Sequence, residues 1–249
     1  MQRLLLYVHY NKFNFISGHV LYQLEKIRPL YSRVVFISNS KLPEDVKSNL
    51  VAQHLVDDIL ERQNSGFDFA AWRDGMKTVG FDQLAHFDSV TLMNDTCFGP
   101  LWDLEPIYQQ FEHDDEVDFW GMTNYRKDKD FNEHIQSYYL SFKKQVLTSS
   151  AFLEFWQGVQ DFTNVQDVIV ITMKPRSQRI SWMQVFTIRR SLIPFMKTPQ
   201  GCSIRTFLTT ILQRFSIIRF LSSKSKPLQT MKELCLIFST SWSVYRTTH

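Results

Sequence analysis

The chain has 249 residues, 44% hydrophobic and 14% aromatic, enough for a substantial core in one large domain or two small ones. No apolar run approaches the roughly 20 residues of a membrane-spanning helix, and the opening Met1-Gln2-Arg3-Leu4 lacks the apolar core and cleavage site of a signal peptide. Cys97, Cys202 and Cys235 are odd in number and widely spaced, which argues against a disulfide framework or a CxxC metal site, so a cytosolic protein is expected.

In chain order, Arg3–Tyr10 is a short apolar run with the length and flanks of a buried strand. Ser17–Arg28 has an amphipathic helical pattern, with Ser17 as N-cap and Pro29 as stop. Arg33–Ser38 is a β-branched strand ending at Asn39. Pro43–Gln53 opens with Pro-Glu-Asp, as a helix does, and Asp57–Leu60 is a short strand. Phe69–Val79 is helical and stops near Gly80; Ser89–Met93 is a strand ending at Asn94-Asp95. Leu101–Glu112 is expected to be a helix and Val117–Thr123 a strand. Gln136–Leu147 fits either state, and Ser150–Val159 is a helix with a Phe152/Phe155/Trp156 face. This alternation predicts a largely parallel α/β sheet covered by helices on both faces. Ligands of such sheets bind beyond the C-terminal ends of the strands. Asn39, the Asn64–Asp68 stretch and Asn94-Asp95 all fall at those ends.

The stretch Asn64-Ser65-Gly66-Phe67-Asp68-Phe69, followed by Ala-Ala-Trp-Arg-Asp-Gly over 70–75, is the richest in chemistry. A loop running into a helix offers backbone N–H groups, a helix N-terminus and the Arg73 fork to a phosphate or sugar nucleotide. Gly66 permits positive φ or close backbone approach. Asp68 is equally suited to capping the helix, and Arg73 to pairing with Asp74. Asn94-Asp95 can offer a carboxylate to a divalent cation, although Asn-Asp-Thr carries one carboxylate where a strong site has two. Trp72, Trp102 and Trp120 could stack on a sugar or base, but at least two are expected in the core. Glu112–Glu116 reads as a solvated acidic loop.

Charge divides the chain sharply. Residues 1–170 hold 15 Lys/Arg against 24 Asp/Glu, whereas 171–249 hold 13 Lys/Arg against Glu233 alone. Residues encoded by codons beginning with G shrink in the second part to Val185, Gly201, Glu233 and Val244, with no Ala or Asp. Ordinary composition does not produce that pattern, but a shifted reading frame does. Back-translation of Ser203–Leu212, entered at the third base, can read HPDFSYYHP; Phe220–Pro227 can give PFIKVKA in the same frame. The expectation is a frame change near Val168–Ile171, giving a region over 1–168 and an out-of-frame tail without a native fold over 169–249. The competing reading is a genuine basic tail that binds nucleic acid.

The segments LLYVHYNKFN, LYQLEKIRPLYSRVVFISNS, NSGFDFAAWRDGM, DSVTLMNDTCFGPLWDLEPIY, DFWGMTN and HIQSYYLSFKK, in this order, resemble the rhamnan synthesis protein F family over about residues 1–168. The resemblance implies a bacterial rhamnosyltransferase of cell-wall polysaccharide assembly, of which this chain is an N-terminal fragment, truncated and inactive. It implies a GT-A-like, Rossmann-like nucleotide-diphospho-sugar transferase fold. The donor would be dTDP-L-rhamnose and the acceptor a lipid-linked rhamnose polysaccharide at the inner face of the cell membrane; no nucleic acid is expected. Asn39, Asn64, Gly66, Asp68 and Arg73 would contact the nucleotide sugar, and Asp95 with Asn94 would hold Mg²⁺ or Mn²⁺. A transferase of this kind needs a carboxylate base, for which Asp95 and Asp118 are candidates by position only, and His134 and Tyr138 could reach the acceptor. A non-catalytic module that binds nucleotide sugar or glycan is the other reading of the same residues.

Overall fold

The computed structural model describes residues 1–125 and 134–164. The tail over 169–249 therefore lies outside the described residues.

Strand β1 (Arg3–His9) is buried along its whole length. An unbroken apolar run of this kind is what a central parallel strand requires, because both of its faces are covered. Helix α1 (Gly18–Ile27) buries Val20, Gln23, Leu24 and Ile27, and Pro29 closes it within a 3-10 turn over Arg28–Leu30. Ser17 stands at the N-cap, but its hydroxyl meets His19 Nδ1 at 2.8 Å instead of a backbone N–H. There follow β2 (Arg33–Ser38), α2 (Glu44–Ala52), β3 (Asp58–Glu61), α3 (Phe67–Val79) and β4 (Ser89–Asn94).

The helix expected over 101–112 is shorter. Helix α4 spans Glu105–Glu112, with Asp103 Oδ1 accepting from the Glu105 N–H at 3.0 Å. Pro106 has no N–H to offer residue 102, so it fits the first turn and not a helix already under way at 101. The strand expected over 117–123 contracts to β5 (Phe119–Gly121), and a separate two-stranded pair joins β6 (Asn124–Tyr125) to β7 (His134–Ile135). The segment that fitted either state divides into β8 (Tyr139–Lys143) and α5 (Lys144–Leu147). Helix α6 (Ser150–Gly158) is capped by Ser149, whose Oγ accepts from the Phe152 N–H at 3.3 Å.

The six-stranded sheet has the order β3-β2-β1-β4-β8-β5. Pairs β3–β2, β2–β1 and β1–β4 are parallel, whereas β8 runs antiparallel to both β4 and β5. The sheet is thus mainly parallel, with one reversed strand near its edge. One face is covered by α3, α5 and α6 through Trp72, Met76, Val146, Phe152 and Trp156. The other is covered by α1, α2 and α4 through Leu24, Leu50, Tyr108 and Phe111. Helix α3 lies close to the sheet: a Cβ on Gly75 would stand 2.4 Å from Ile37 Cδ1, so any larger residue there would push the Ile37 side chain aside. Trp72 and Trp120 are both core residues, and Trp102 is 43% exposed.

From β1 the chain winds outward through β2 to β3, then crosses back to place β4 on the other side of β1. That reversal opens a crevice between the C-terminal ends of β1 and β4.

Candidate functional site

The crevice is lined by the residues just past each parallel strand. Asp95, just after β4, accepts from the Tyr10 N–H just after β1, at 3.1 Å from Oδ2. Its backbone oxygen faces His19 Nε2 at 3.2 Å. His9 lies beneath, 1% exposed, stacked on Phe36, with Nε2 at 4.0 Å from Asp95 Oδ2. Burial lowers the His9 imidazole to about 4, opposed by a hydrogen bond with the Phe15 backbone. The same loss of water raises the Asp95 carboxyl to about 7; the Tyr10 N–H pulls it down, and the Asp68 charge pushes it further up.

Asp68 reaches this point from the first turn of α3. Its Oδ2 accepts from Asn94 Nδ2 at 2.7 Å, and burial raises its carboxyl above the usual range despite that bond. Asn94 Oδ1 accepts from the Thr96 N–H at 3.1 Å, which fixes the amide with its nitrogen toward Asp68. Asn94 thus orients a carboxylate, and the two carboxylates of the crevice are Asp95 and Asp68. Among the described residues no group of three or more His, Cys, Asp or Glu is arranged to hold a metal ion.

Gly66 precedes α3 with φ +65°, and Phe67 comes next at φ +52°. A Cβ on Gly66 would stand 2.4 Å from Ala70 Cβ and 3.0 Å from both the Asp161 backbone and the Gln160 oxygen. The Gly66 N–H donates to the Phe162 oxygen at 2.7 Å. Both freedoms expected of this glycine, positive φ and close approach, are in use. Asp68 is not the helix cap; it sits one residue inside the helix and faces the crevice. Asn64 is exposed in the preceding loop.

A second cluster lies beside the end of β2. Asn39, 6% exposed, donates its N–H to the His9 oxygen and accepts at Oδ1 from Arg62 Nη1 at 2.7 Å. Arg62 also donates to Asp74 Oδ2, the Ser65 oxygen and Asp161 Oδ1. Arg73 donates to Asp74 Oδ1 at 2.9 Å, the Val159 oxygen at 2.6 Å and both Asp161 oxygens at 3.0 and 3.1 Å. All three guanidinium nitrogens of Arg73 therefore point at protein oxygens.

Tyr138 stands at the same edge, its oxygen accepting from the Asn94 N–H at 3.2 Å. Asp118 does not: the register places Phe119 opposite Phe142 and hence level with Val90, so Asp118 lies at the amino-terminal edge, across the sheet from Asp95. As a base candidate it is excluded by position. The side chain of His134 lies outside what the structure describes. Glu112 is not part of a solvated loop; it ends α4, 4% exposed, in an ion pair with Arg3 at 2.7 Å. A cleft of about 1090 Å³ opens beside that pair, lined in part by Tyr31, Glu105 and His113, but it too lies at the amino-terminal edge.

His9, His19, Arg62 and Asp161 belong to the site and are not singled out by the sequence pattern. A signal for His9 exists, since Val-His-Tyr-Asn ends the first strand. Arg62 comes after β3 in the same manner. Asp161 has no local signal, because its place depends on the path after α6.

The rhamnan synthesis protein F family matches residues 34–178, more than half of the chain. The match starts after β1 and ends ten residues beyond the boundary expected at 168. An uncharacterised protein of Sinorhizobium fredii, y4gN, is 32% identical over 150 residues, which is 59% of this chain and 38% of that protein. The matched region thus spans well under half of that relative. Among solved structures, a cytidylyltransferase from Leptospira borgpetersenii shares 12% identity, with a TM-score of 0.48 over 92% of this chain and all of that one. A protein from Desulfovibrio desulfuricans described as a nucleotide-diphospho-sugar transferase shares 14% identity at a TM-score of 0.36, covering 64% of this chain and 70% of that one. The mannosyltransferase Ktr4p from S. cerevisiae, solved with GDP, shares 6% identity at 0.36, over 63% and 60%.

Proposed function

Since the chain belongs to the rhamnan synthesis protein F family, we propose that it is the donor-binding part of a glycosyltransferase of GT-A type. The observation that carries the reading is the pair of carboxylates, Asp95 and Asp68, at the crevice where the strand order reverses. The donor class this supports is a nucleoside diphosphate sugar, with dTDP-L-rhamnose as the specific proposal. Asn39, at the end of β2, would lie toward the nucleoside, and the N-terminal turn of α3 toward the diphosphate. The acceptor would be a growing rhamnose polysaccharide carried on a lipid. No helix among the described residues is long and apolar enough to cross a membrane.

A divalent cation fits the residues present. Two carboxylates whose affinity for protons is raised by burial, and at Asp95 also by the Asp68 charge, are the donor set that Mg²⁺ or Mn²⁺ relieves, and such ions complete their shell with water and substrate phosphate. Asp95 and Asp68 would hold the ion and Asn94 would steady Asp68. The ion, when bound, would neutralise charge on the departing diphosphate. His19 and the Tyr10 N–H keep Asp95 in place from the protein side.

Residues 169–249 are proposed to be out of frame, so that the chain as it stands binds donor without completing transfer. Sequencing the gene through the codons for Asp161–Pro175 tests that part. The donor reading is tested by titrating the chain with dTDP and Mn²⁺. Micromolar to low millimolar binding that Asp95→Asn removes is expected; equal binding by the variant would count against the assigned site.

A further inference from the structure

Arg62 and Arg73 come from different elements, yet their Nη2 atoms meet on one carboxylate. Asp161 Oδ1 accepts from Arg62 at 3.1 Å and from Arg73 at 3.0 Å. Both guanidinium side chains are more than nine-tenths buried, at 9% and 7% exposure, whereas that of Asp161 is 48% exposed. The buried partners are fixed and the exposed one is replaceable.

The two arginines do not need Asp161 for their orientation. Arg62 is held by Asn39, Asp74 and the Ser65 oxygen, and Arg73 by Asp74 and the Val159 oxygen. Asp74 is shared between them. Removing Asp161 would leave two cations on one carboxylate, a preformed fork with a net positive charge facing the carboxyl edge of the sheet. The segment that carries Asp161 comes after α6 and is in neither helix nor strand. Besides the arginines, it is tied to the loop by the Gly66–Phe162 bond and by Ser65 Oγ, which donates to Asp161 Oδ1 at 3.4 Å.

We propose that the Arg62–Arg73 fork is an anion site whose resting occupant is the chain's own Asp161, and that a phosphate group of a bound nucleotide displaces it. The inference rests on the donor reading above and adds a latch to it. Asn39 joins the fork to the end of β2, so displacement of Asp161 frees the edge where the nucleotide would lie. Segment 160–162 then swings away from the anchored Val159 and loosens its tie to Gly66. An internal carboxylate competing for the same N–H groups weakens nucleotide binding by its own local concentration.

The test uses the full chain and dTDP as probe. Hydrogen exchange is followed at 160–163 with and without nucleotide, and dTDP affinity is measured for wild type, Asp161→Asn and the Arg62→Met/Asp161→Asn double variant. Displacement requires faster exchange at 160–163 when dTDP binds, at least tenfold tighter binding by Asp161→Asn, and loss of that gain in the double variant. Binding without faster exchange there, or a folded Asp161→Asn variant no tighter than wild type, overturns the latch and leaves the donor reading standing. Absence of dTDP binding in wild type and Asp161→Asn alike overturns both. If Asp161→Asn does not fold, exchange in wild type alone decides.

Discussion

Asn94 and Asp68, 26 residues apart, are joined by a 2.7 Å hydrogen bond that ties the end of a central strand to the first turn of α3. The amide gives its nitrogen to the carboxylate and its oxygen to the Thr96 N–H, so one side chain fixes both the helix start and the turn after β4. Replacing it by Ala takes that donor from the half-buried Asp68. Asn94→Ala is expected to cost about 1–3 kcal/mol in urea denaturation and to move the Asp68 carboxyl further up. A stability within about 0.3 kcal/mol of wild type would show that water replaces the amide there.

His9 and Asp95 have opposite pH signatures. The folded His9 lies at about 4, below its ordinary 6.5, so its contribution is complete above 6.5 and lost as pH falls toward 4. The folded Asp95 lies at about 7, above its ordinary 3.8, so its contribution is complete below 3.8 and lost as pH rises through 7. The two slopes oppose each other between 4 and 6.5. Urea denaturation at several pH values should show a shallow dependence in wild type. Asp95→Asn should become more stable as pH rises from 4 to 6.5, and His9→Asn should become less stable as pH rises toward 7. Parallel slopes in the two variants would refute the assignment.

Gly66→Ala places a methyl group 2.4 Å from Ala70 Cβ at a residue with φ +65°. The expected cost is about 1–3 kcal/mol, with protease sensitivity rising first at 160–162 because the Gly66–Phe162 contact is strained. A melting temperature unchanged from wild type would contradict the close approach.

At the opposite edge, Arg3 donates to Glu105 and Glu112 and lies over the Tyr108 ring at 4.6 Å. The Glu112 side chain is 4% exposed. Arg3→Met removes the cation and leaves the buried Glu112 carboxylate with the Ser89 hydroxyl at 3.4 Å in place of a charged partner, a loss of about 3–5 kcal/mol. The double variant Arg3→Met/Glu112→Gln should recover part of it. Dye-binding melts compare the two directly.

The alternating pattern of the first 100 residues makes the four parallel strands legible, because a strand buried on both faces needs an apolar middle, as Leu4–Val8 supplies in β1. The strand ends mark the crevice for the same reason: polar residues such as Asn39 and Asn94 start where burial stops. The chain beyond β4 is harder to read. Helix α4 begins four residues late because Pro106 limits it, and β8 is a reversed strand whose place depends on pairing with β4, 50 residues earlier at Thr91–Ser141. Asp118 resembles a site residue by composition, but strand direction puts it at the wrong edge. Arg62 and Asp161 escape a reading of the sequence because their partnership spans 99 residues and has no periodicity behind it.

Trp156 lies 5.7 Å from Phe69 and 6.4 Å from Trp72, ring centre to ring centre, and closes the face of the sheet that α3 covers. Among the described residues, Val159 is the last side chain of either apolar layer. All six strands of the sheet and the helices that cover it lie before residue 160. A change of frame past that point would alter what is attached to this body before it altered the body itself.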